Sequence, residues 1–399
     1  LTIGGTFTLE RVLGTVPVEP DGSAYMELPA LRSLFFVALD ENDRSVKRMQ
    51  SFVTVQPGET TSCVGCHEQR TRAPHSRPAS TLAAVRRKPS RIDSFTGLPD
   101  VFDFQRDIQP ILDRHCTECH GSNRREGGID LSGDRTAMYT VSYWAMFVNG
   151  LVSDGRNKYG NNAPRGLGSS ASKLMELIDG SHYDAKLSER ERTMLRLWIE
   201  SGATYPGTYA ALGSGMYPVK YPAETLRRRC GSCHKAAKPT YRNPKKGAFY
   251  FQFGHRGPPQ PLLDNVNDII LIRHLAYFQH GESQLYQAYC SLDRPEKSLL
   301  IRAPLSRQAG GLELCAETVF KDANDPDYQK ILRAINNAAG RLAEGKRFDM
   351  PGFRPNGPYI REMQNYGILS RPLPPDYQFD VHAIDRAYWK SFWHKARCK

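Results

Sequence analysis

Apolar residues recur at helical spacing in two long stretches of the chain. The first stripe follows the capping-box sequence Ser188–Glu191, ends before Gly202, and consists of Met194, Leu195, Trp198 and Ile199. The second stretch covers residues 328–342. Shorter helices are predicted over residues 107–115, over residues 222–229 and between Asn356 and Gly367. The pattern indicates a mostly α-helical protein.

The first 60 residues follow a different pattern. Strand-forming residues cluster there between turn sequences, of which Pro20–Ser23 and Asp40–Asp43 have the clearest turn chemistry. Strands are predicted over residues 6–11, 24–28, 33–39 and 51–55. The expected fold class is therefore mostly α with an N-terminal β-sandwich-like region.

Six of the nine cysteines form three copies of the sequence Cys-x-x-Cys-His. This is the attachment signal of c-type haem, because two thiols one helical turn apart reach both vinyl groups and the next histidine faces the iron. A zinc site needs four ligands, and the three other cysteines cannot complete three such sites. We predict three covalent haems on Cys63, Cys66, Cys116, Cys119, Cys230 and Cys233, with His67, His120 and His234 as proximal ligands.

The haem motifs divide the chain and indicate its compartment. Attachment of c-type haem occurs outside the cytoplasm, so a periplasmic or extracellular location is expected.

The predicted domains are a β-rich domain (1–75) that ends in the first motif, a basic Pro-rich linker (76–100), a cytochrome-c-like domain with the second haem (101–210), a cytochrome-c-like domain with a long insert and the third haem (211–375), and an aromatic, basic tail (376–399). Cys290 and Cys315 are candidates for a disulfide.

The residue on the other face of each iron decides between electron transfer and reactivity. For the second haem we predict His182, which lies just before the capped helix. For the third haem we predict Met350, with His255, His274 and His280 as alternatives. The first haem has no obvious second ligand nearby in sequence, which hints at an open, reactive iron.

Composition and charge limit the classes of binding partner that are expected for this protein. The chain carries a net charge of +12 and is 40% hydrophobic, and it contains no apolar run of 18 residues that would cross a membrane. Its basic residues cluster in the Pro-rich stretch 69–91 and form no recognised nucleic-acid motif, so nucleic acid is not an expected partner. A basic surface favours weak, salt-dependent docking to an acidic redox protein.

Three stretches resemble the hydrazine synthase α-subunit family. They are residues 48–74 around the first motif, residues 104–134 around the second, and residues 349–369. The resemblance implies that residues 1–75 correspond to the middle domain with a reactive haem, and that residues 101–204 correspond to a domain whose haem has two histidine ligands. It also implies His182 as the distal ligand. Thr71 stands where the family has an iron-binding tyrosine, and the family is not expected to have the motif at Cys230.

Together these features predict a triheme c-type cytochrome that transfers electrons between redox partners or within a larger extracytoplasmic complex. One alternative is a multihaem oxidoreductase of the hydrazine synthase α-subunit type, acting on small nitrogen compounds at the first haem. Another is a structural cytochrome subunit of a filament or complex. The sequence leaves the question of catalysis open and favours an electron carrier over an enzyme.

Overall fold

The computed structural model describes residues 9–49, 51–63, 82–153, 162–183, 185–212, 214, 217–232 and 289–393. Over these residues the protein is mostly helical, with a single two-stranded sheet. The α-helices are α1 (Gln109–His115), α2 (Val141–Val148), α3 (Lys173–Glu176), α4 (Glu189–Glu200), α5 (Ala223–Cys230), α6 (Leu299–Arg302), α7 (Pro326–Gly345), α8 (Gly357–Asn365) and α9 (Val381–Ser391). Shorter helical turns are π-helical at Phe104–Ile108 and Leu177–Ser181 and 3₁₀ at Ala84–Arg86, Glu126–Gly128, Gly168–Ala171, Tyr209–Ala211, Pro295–Lys297 and Arg307–Ala309.

The sheet is one antiparallel hairpin near the N-terminus, made of β1 (Val37–Leu39) and β2 (Ser45–Arg48). The turn predicted at residues 40–43 is confirmed. Oδ1 of Asp40 accepts hydrogen bonds from the backbone N–H of Asn42 (2.9 Å) and of Arg44 (2.8 Å), as aspartate does at the start of a tight turn. We call residues 37–48 the N-terminal hairpin.

The expected β-sandwich-like region is not formed by the described residues. Apart from the hairpin, residues 9–63 contribute only isolated bridges in the described part of the chain, such as Leu34 with Val53. Proline and glycine interrupt the apolar runs, so no strand grows long enough to pair along a second layer. The segment pairs instead with residues from the predicted linker, through the bridges Thr15–Asp93 and Met26–Ser90. Residues 82–100 are therefore packed rather than free in solvent.

The N-terminal hairpin lies directly on the first helical module, residues 101–210. The Ser45 N–H donates to Oγ of Ser169 over 3.0 Å, and the guanidinium of Arg48 donates to the carbonyl of Glu200. Arg48 also forms an ion pair of 2.6 Å with Glu10. Backbone and side-chain contacts thus cover one edge of the sheet, which would otherwise present unpaired donors and acceptors.

The first module has an aromatic core. Phe104, Tyr143, Trp198 and Tyr205 are almost fully buried, and the Phe104 ring lies 5.1 Å from Tyr143 and 5.4 Å from Trp198. The predicted helix after Ser188 is confirmed as α4, and both hydrogen bonds of its N-terminal capping box, between Ser188 and Glu191, are formed. Helix α2 carries mainly apolar residues on all sides. Because apolar and polar positions do not alternate at helical spacing in this short segment, the sequence pattern does not predict the helix.

The second helical module consists of the described residues between 217 and 350. It is built around α7, whose buried face consists of Tyr328, Ile331, Ile335, Ala338 and Leu342. Asp325 caps its first turn by accepting hydrogen bonds from Asp327 N and Tyr328 N. A third cluster joins α8 and α9 to Ala210 of the first module. There the carboxylate of Asp385 accepts hydrogen bonds from the Tyr359 hydroxyl (2.6 Å) and from the Tyr209 N–H (2.9 Å). The aromatic tail, as far as residue 393, thus packs on the body as predicted.

A buried polar cluster joins the two helical modules. The Arg347 guanidinium donates to both carboxylate oxygens of Asp349 (2.8 and 2.7 Å) and to the carbonyl of Thr136 (3.0 Å). The Tyr205 hydroxyl also donates to Asp349. Arg347 is 1% exposed, so its charge is balanced inside the protein and not by water.

None of the helices in the described ranges combines the length and the apolar character needed to cross a membrane.

Candidate metal centre

The second Cys-x-x-Cys-His sequence directly follows α1. Ile108, Ile111 and Leu112 anchor this helix in the first core, and it ends at His115. The chain then continues in turns, with the Cys116 N–H bonded to the Leu112 carbonyl and the His120 N–H bonded to the Cys116 carbonyl, both at 2.8 Å. Helix α1 thus positions Cys116, Cys119 and His120 close together at the surface of the module.

A hydrogen bond fixes the imidazole of His120. Its Nδ1 lies 2.9 Å from the backbone oxygen of Glu126, and because a carbonyl only accepts, Nδ1 carries the proton. The other nitrogen, Nε2, then holds a lone pair. This backbone contact is the usual way in which proteins orient a histidine that binds metal.

The loop after His120 folds back to provide that carbonyl. The Glu126 N–H donates to the Cys119 carbonyl (2.9 Å), and the Leu131 N–H donates to the His120 carbonyl (2.6 Å). Gly127 and Gly128 have φ values of 62° and 75°, a region that favours glycine. The consecutive glycines of the sequence are therefore needed for the turn that places Glu126 beside the histidine.

His182 approaches the same place from another part of the module. It follows α3 and the π-helical turn Leu177–Ser181, in which Gly180 has φ of 106°. Its ring is half-buried, and in the described part of the chain its ring nitrogens make no hydrogen bond. The exposed Tyr183 ring stands edge-on at 4.9 Å from it.

The imidazoles of His120 and His182 lie close together with nearly parallel planes. The ring centroids of His120 and His182 are 5.9 Å apart, and the ring planes meet at 19°. When one metal is bound by a nitrogen of each ring, two distances add up between the ring centroids. They are the two metal–nitrogen bonds of about 2 Å and the distance from nitrogen to centroid in each ring, which together give roughly 6 Å. The centroid separation therefore matches that of two axial histidines on one iron, the ligand set expected for the second haem.

The thiols of the motif have different surroundings. Cys116 is packed against the first core, whereas Cys119 is exposed. Burial, reinforced by the charge of Asp113, raises the pKa of the Cys116 thiol to about 11. A redox-active Cys-x-x-Cys pair has the opposite property, a lowered thiol pKa. Where the chain is described, no group of three or more His, Cys, Asp and Glu side chains is arranged to hold a metal ion.

An ionic clamp joins the end of α1 to the start of α4, the helix that follows His182. Oε1 of Glu191 accepts hydrogen bonds from Arg114 (2.7 Å) and lies 3.1 Å from Nε2 of His115. Burial alone would raise the pKa of Glu191, but hydrogen bonds from Ser188, Arg114 and His115 outweigh it and lower this pKa to about 2. The capping box is evident in the sequence, but its second role in holding two ligand-bearing segments together is not.

The other two haem motifs lie only partly within the described residues. Cys63 is exposed, and Cys66 and His67 fall outside the described ranges. Cys230 is the last residue of α5, and Cys233, His234, His255, His274 and His280 also fall outside. Met350 is half-buried against the second core, directly after Asp349 of the buried cluster. The structure thus brings together Cys116, Cys119, His120 and His182, and Met350 stays a prediction.

Cys290 is fully buried as a free thiol, with its sulfur 3.3 Å from the Tyr221 hydroxyl. The disulfide considered for Cys290 and Cys315 is therefore not formed.

Comparison with known proteins relates part of the chain to a family. Residues 4–68 match the family described as the hydrazine synthase alpha subunit middle domain, which confirms the resemblance for this N-terminal part. The chain is also 39% identical over 90 residues to the hydrazine synthase subunit alpha of Kuenenia stuttgartiensis. That stretch is 22% of this chain and 10% of the relative, so the chain spans a small fraction of it. No solved structure matches the chain.

Proposed function

We propose that this chain is a multihaem c-type cytochrome and that the site at His120 and His182 transfers electrons. The observation that carries the proposal is the pair of nearly parallel imidazoles, His120 and His182, whose ring centroids are 5.9 Å apart. A haem held by two histidines supplies one-electron transfer between Fe(III) and Fe(II) and has no open position for a substrate.

The protein supports this role with its own residues. Cys116 and Cys119 would attach the group covalently, and His120 and His182 would hold its iron. The Glu126 carbonyl fixes which nitrogen of His120 is free to bind, and the clamp at Glu191 keeps the two ligand-bearing segments together. A rigid ligand set keeps the site nearly unchanged between oxidation states, which favours fast transfer.

The same proposal covers the partners and the compartment. Since c-type haem is attached outside the cytoplasm, the proposal includes a periplasmic or extracellular location. Its net charge of +12 favours an acidic redox protein as donor or acceptor. The relation to a synthase subunit supports assembly with other subunits.

A second candidate function concerns the first motif. The family match covers residues 4–68 and so includes Cys63, Cys66 and His67. This favours an oxidoreductase in which the first haem reacts with a small nitrogen compound and the His120–His182 site delivers or removes electrons. Thr71 separates this chain from the tyrosine-ligated iron of the family.

The test uses the full chain produced with haem attachment. A pyridine haemochrome assay should count three haems per chain, and the reduced protein should then be titrated with CO. The variant His182→Ala should bind one more CO per chain than the wild type, since it opens one axial position. His382→Ala, at a histidine outside the site, should bind as the wild type does. If His182→Ala leaves CO binding unchanged, the proposed ligand set is wrong.

A further inference from the structure

The turn that carries His182 is held from outside its own module. The guanidinium of Arg44, in the N-terminal hairpin, donates to the carbonyls of Ser169 (3.2 Å) and Met175 (3.1 Å). It also forms an ion pair with the carboxylate of Asp179. Three contacts from one side chain thus reach the segment that ends at His182.

The backbone of that segment needs such support. Helix α3 has only four residues, and the π-helical turn after it is broken at Asp179 (ψ 18°) and Gly180 (φ 106°). A kink of this kind removes backbone donors that would otherwise reach the last helical carbonyls. A cation at the C-terminal end of a helix stabilises those carbonyls, and Arg44 supplies it at Met175.

Arg44 is itself held in place. Its N–H donates to Oδ1 of Asp40, and the carboxylate of Asp40 forms an ion pair with Arg165. Burial would raise the pKa of Asp40, but the bond from Arg165 and the backbone bonds from Arg44 and Asn42 lower it. The aspartate is therefore ionised at neutral pH and keeps the turn of the hairpin fixed.

We propose that Arg44 is a positioning residue for His182, so that the N-terminal hairpin determines whether the second axial position is filled. The inference rests on the proposed function. It also gives the hydrazine synthase α-like part of the chain a task at the second motif, which lies outside residues 4–68. Loss of the guanidinium leaves the Asp179 carboxylate and the Met175 carbonyl without this partner, and His182 then moves away from His120.

The experiment compares four full-length haem-loaded proteins: the wild type, Arg44→Gln, His182→Ala and Asp43→Asn. Asp43→Asn is the matched control, because Asp43 lies in the same turn and pairs with Arg196 of α4 at 3.2 Å, and not with the His182 segment. CO binding to the reduced proteins is measured per chain, together with the low-spin absorption bands. Arg44→Gln should gain up to one CO per chain, and Asp43→Asn should gain none.

Two further measurements separate positioning from stability. Added imidazole should restore the low-spin spectrum of Arg44→Gln, because it enters the vacated axial position. Arg44→Lys keeps the charge but can reach fewer acceptors, so its gain in CO binding should be intermediate. This milder variant provides the test if Arg44→Gln does not fold.

The CO-binding results distinguish a failure of the positioning role from a failure of the proposed function. If His182→Ala gains CO binding but Arg44→Gln and Arg44→Lys do not, the positioning role of Arg44 is wrong and the proposed function stands. A fall in melting temperature of the Arg44 variants without a gain in CO binding overturns the positioning role in the same way. If His182→Ala itself gains nothing, the proposed function fails first.

Discussion

The hydroxyl of Tyr205 donates a 2.7 Å hydrogen bond to Oδ2 of Asp349 and so connects the first helical module to the segment after α7. Burial would raise the pKa of Asp349, but the charge and hydrogen bonds of Arg347, with help from Arg135 and Tyr205, lower it. The pKa of Tyr205 is raised, first by burial and then by the Asp349 charge. The cluster thus holds a carboxylate, a guanidinium and a neutral phenol in the interior.

Removal of the carboxylate should be costly. Asp349→Ala leaves the buried Arg347 without its ion pair, so the free energy of unfolding should fall by about 3–5 kcal/mol. Tyr205→Phe removes the hydrogen bond donated to Asp349 and the one accepted from Arg347 (3.2 Å), and should cost about 1.5–3 kcal/mol or more. Urea unfolding followed by circular dichroism measures both. A loss below about 1 kcal/mol for Asp349→Ala would show that Arg347 finds another partner.

Acid should destabilise the protein through Glu191. The folded-state pKa is lowered to about 2 from an ordinary 4.5, so the stabilisation is fully present above pH 4.5 and is lost as the pH falls toward 2. Glu191→Gln should therefore lower stability at pH 7 and flatten its decline between these two pH values. Melting temperatures across this range measure the effect. Glu189→Gln, at an exposed residue of the same helical turn, should change them much less.

Cys290 should be chemically inert in the folded protein. Burial raises the pKa of its thiol to about 12, against a weaker lowering by the Tyr221 hydroxyl, so almost no thiolate exists at pH 8. Iodoacetamide should modify Cys290 only after unfolding, and peptide mass spectrometry can distinguish it from the other cysteines. Modification at the rate of an exposed thiol, such as Cys63 in protein without attached haem, would contradict the buried placement.

Gly180→Ala should weaken the turn before His182. No atom lies near the added Cβ, so the cost comes from the backbone at φ of 106° and should be about 1 kcal/mol or more. Gly340→Ala is a control for which the opposite change in the free energy of unfolding is expected. Gly340 lies inside α7 with ordinary helical φ and open space around it, so alanine there should stabilise by about 0.5–1 kcal/mol. Denaturant unfolding of both variants compares the two effects.

Local signals in the sequence are enough to predict most of the helices. The capping box at Ser188 and the asparagine cap at Asn356 identify helix starts that the structure bears out as α4 and α8. The position of His182 before the capped helix predicts that it lies opposite the second motif. The helix starts depend on neighbours within a few residues, so periodicity and caps reveal them.

Contacts between residues distant in sequence are what the sequence does not predict. Its pattern favours N-terminal strands that pair with each other in a sandwich, but their backbone groups pair with residues 82–100 and with the first module. Arg44 and Asp179 are separated by 135 residues, and no local pattern connects them. Arg347 looks like an ordinary surface arginine in the sequence, and only the fold shows its burial beside Asp349.

The bond between His120 Nδ1 and the Glu126 carbonyl has a consequence for electron affinity. A proton partly shared with a carbonyl leaves the imidazole more electron-rich, which strengthens Nε2 as a donor to any metal bound there. A stronger donor favours the higher oxidation state. The glycine turn at residues 127–128, which positions that carbonyl, would therefore favour the oxidised form of an iron bound at His120, as proposed above.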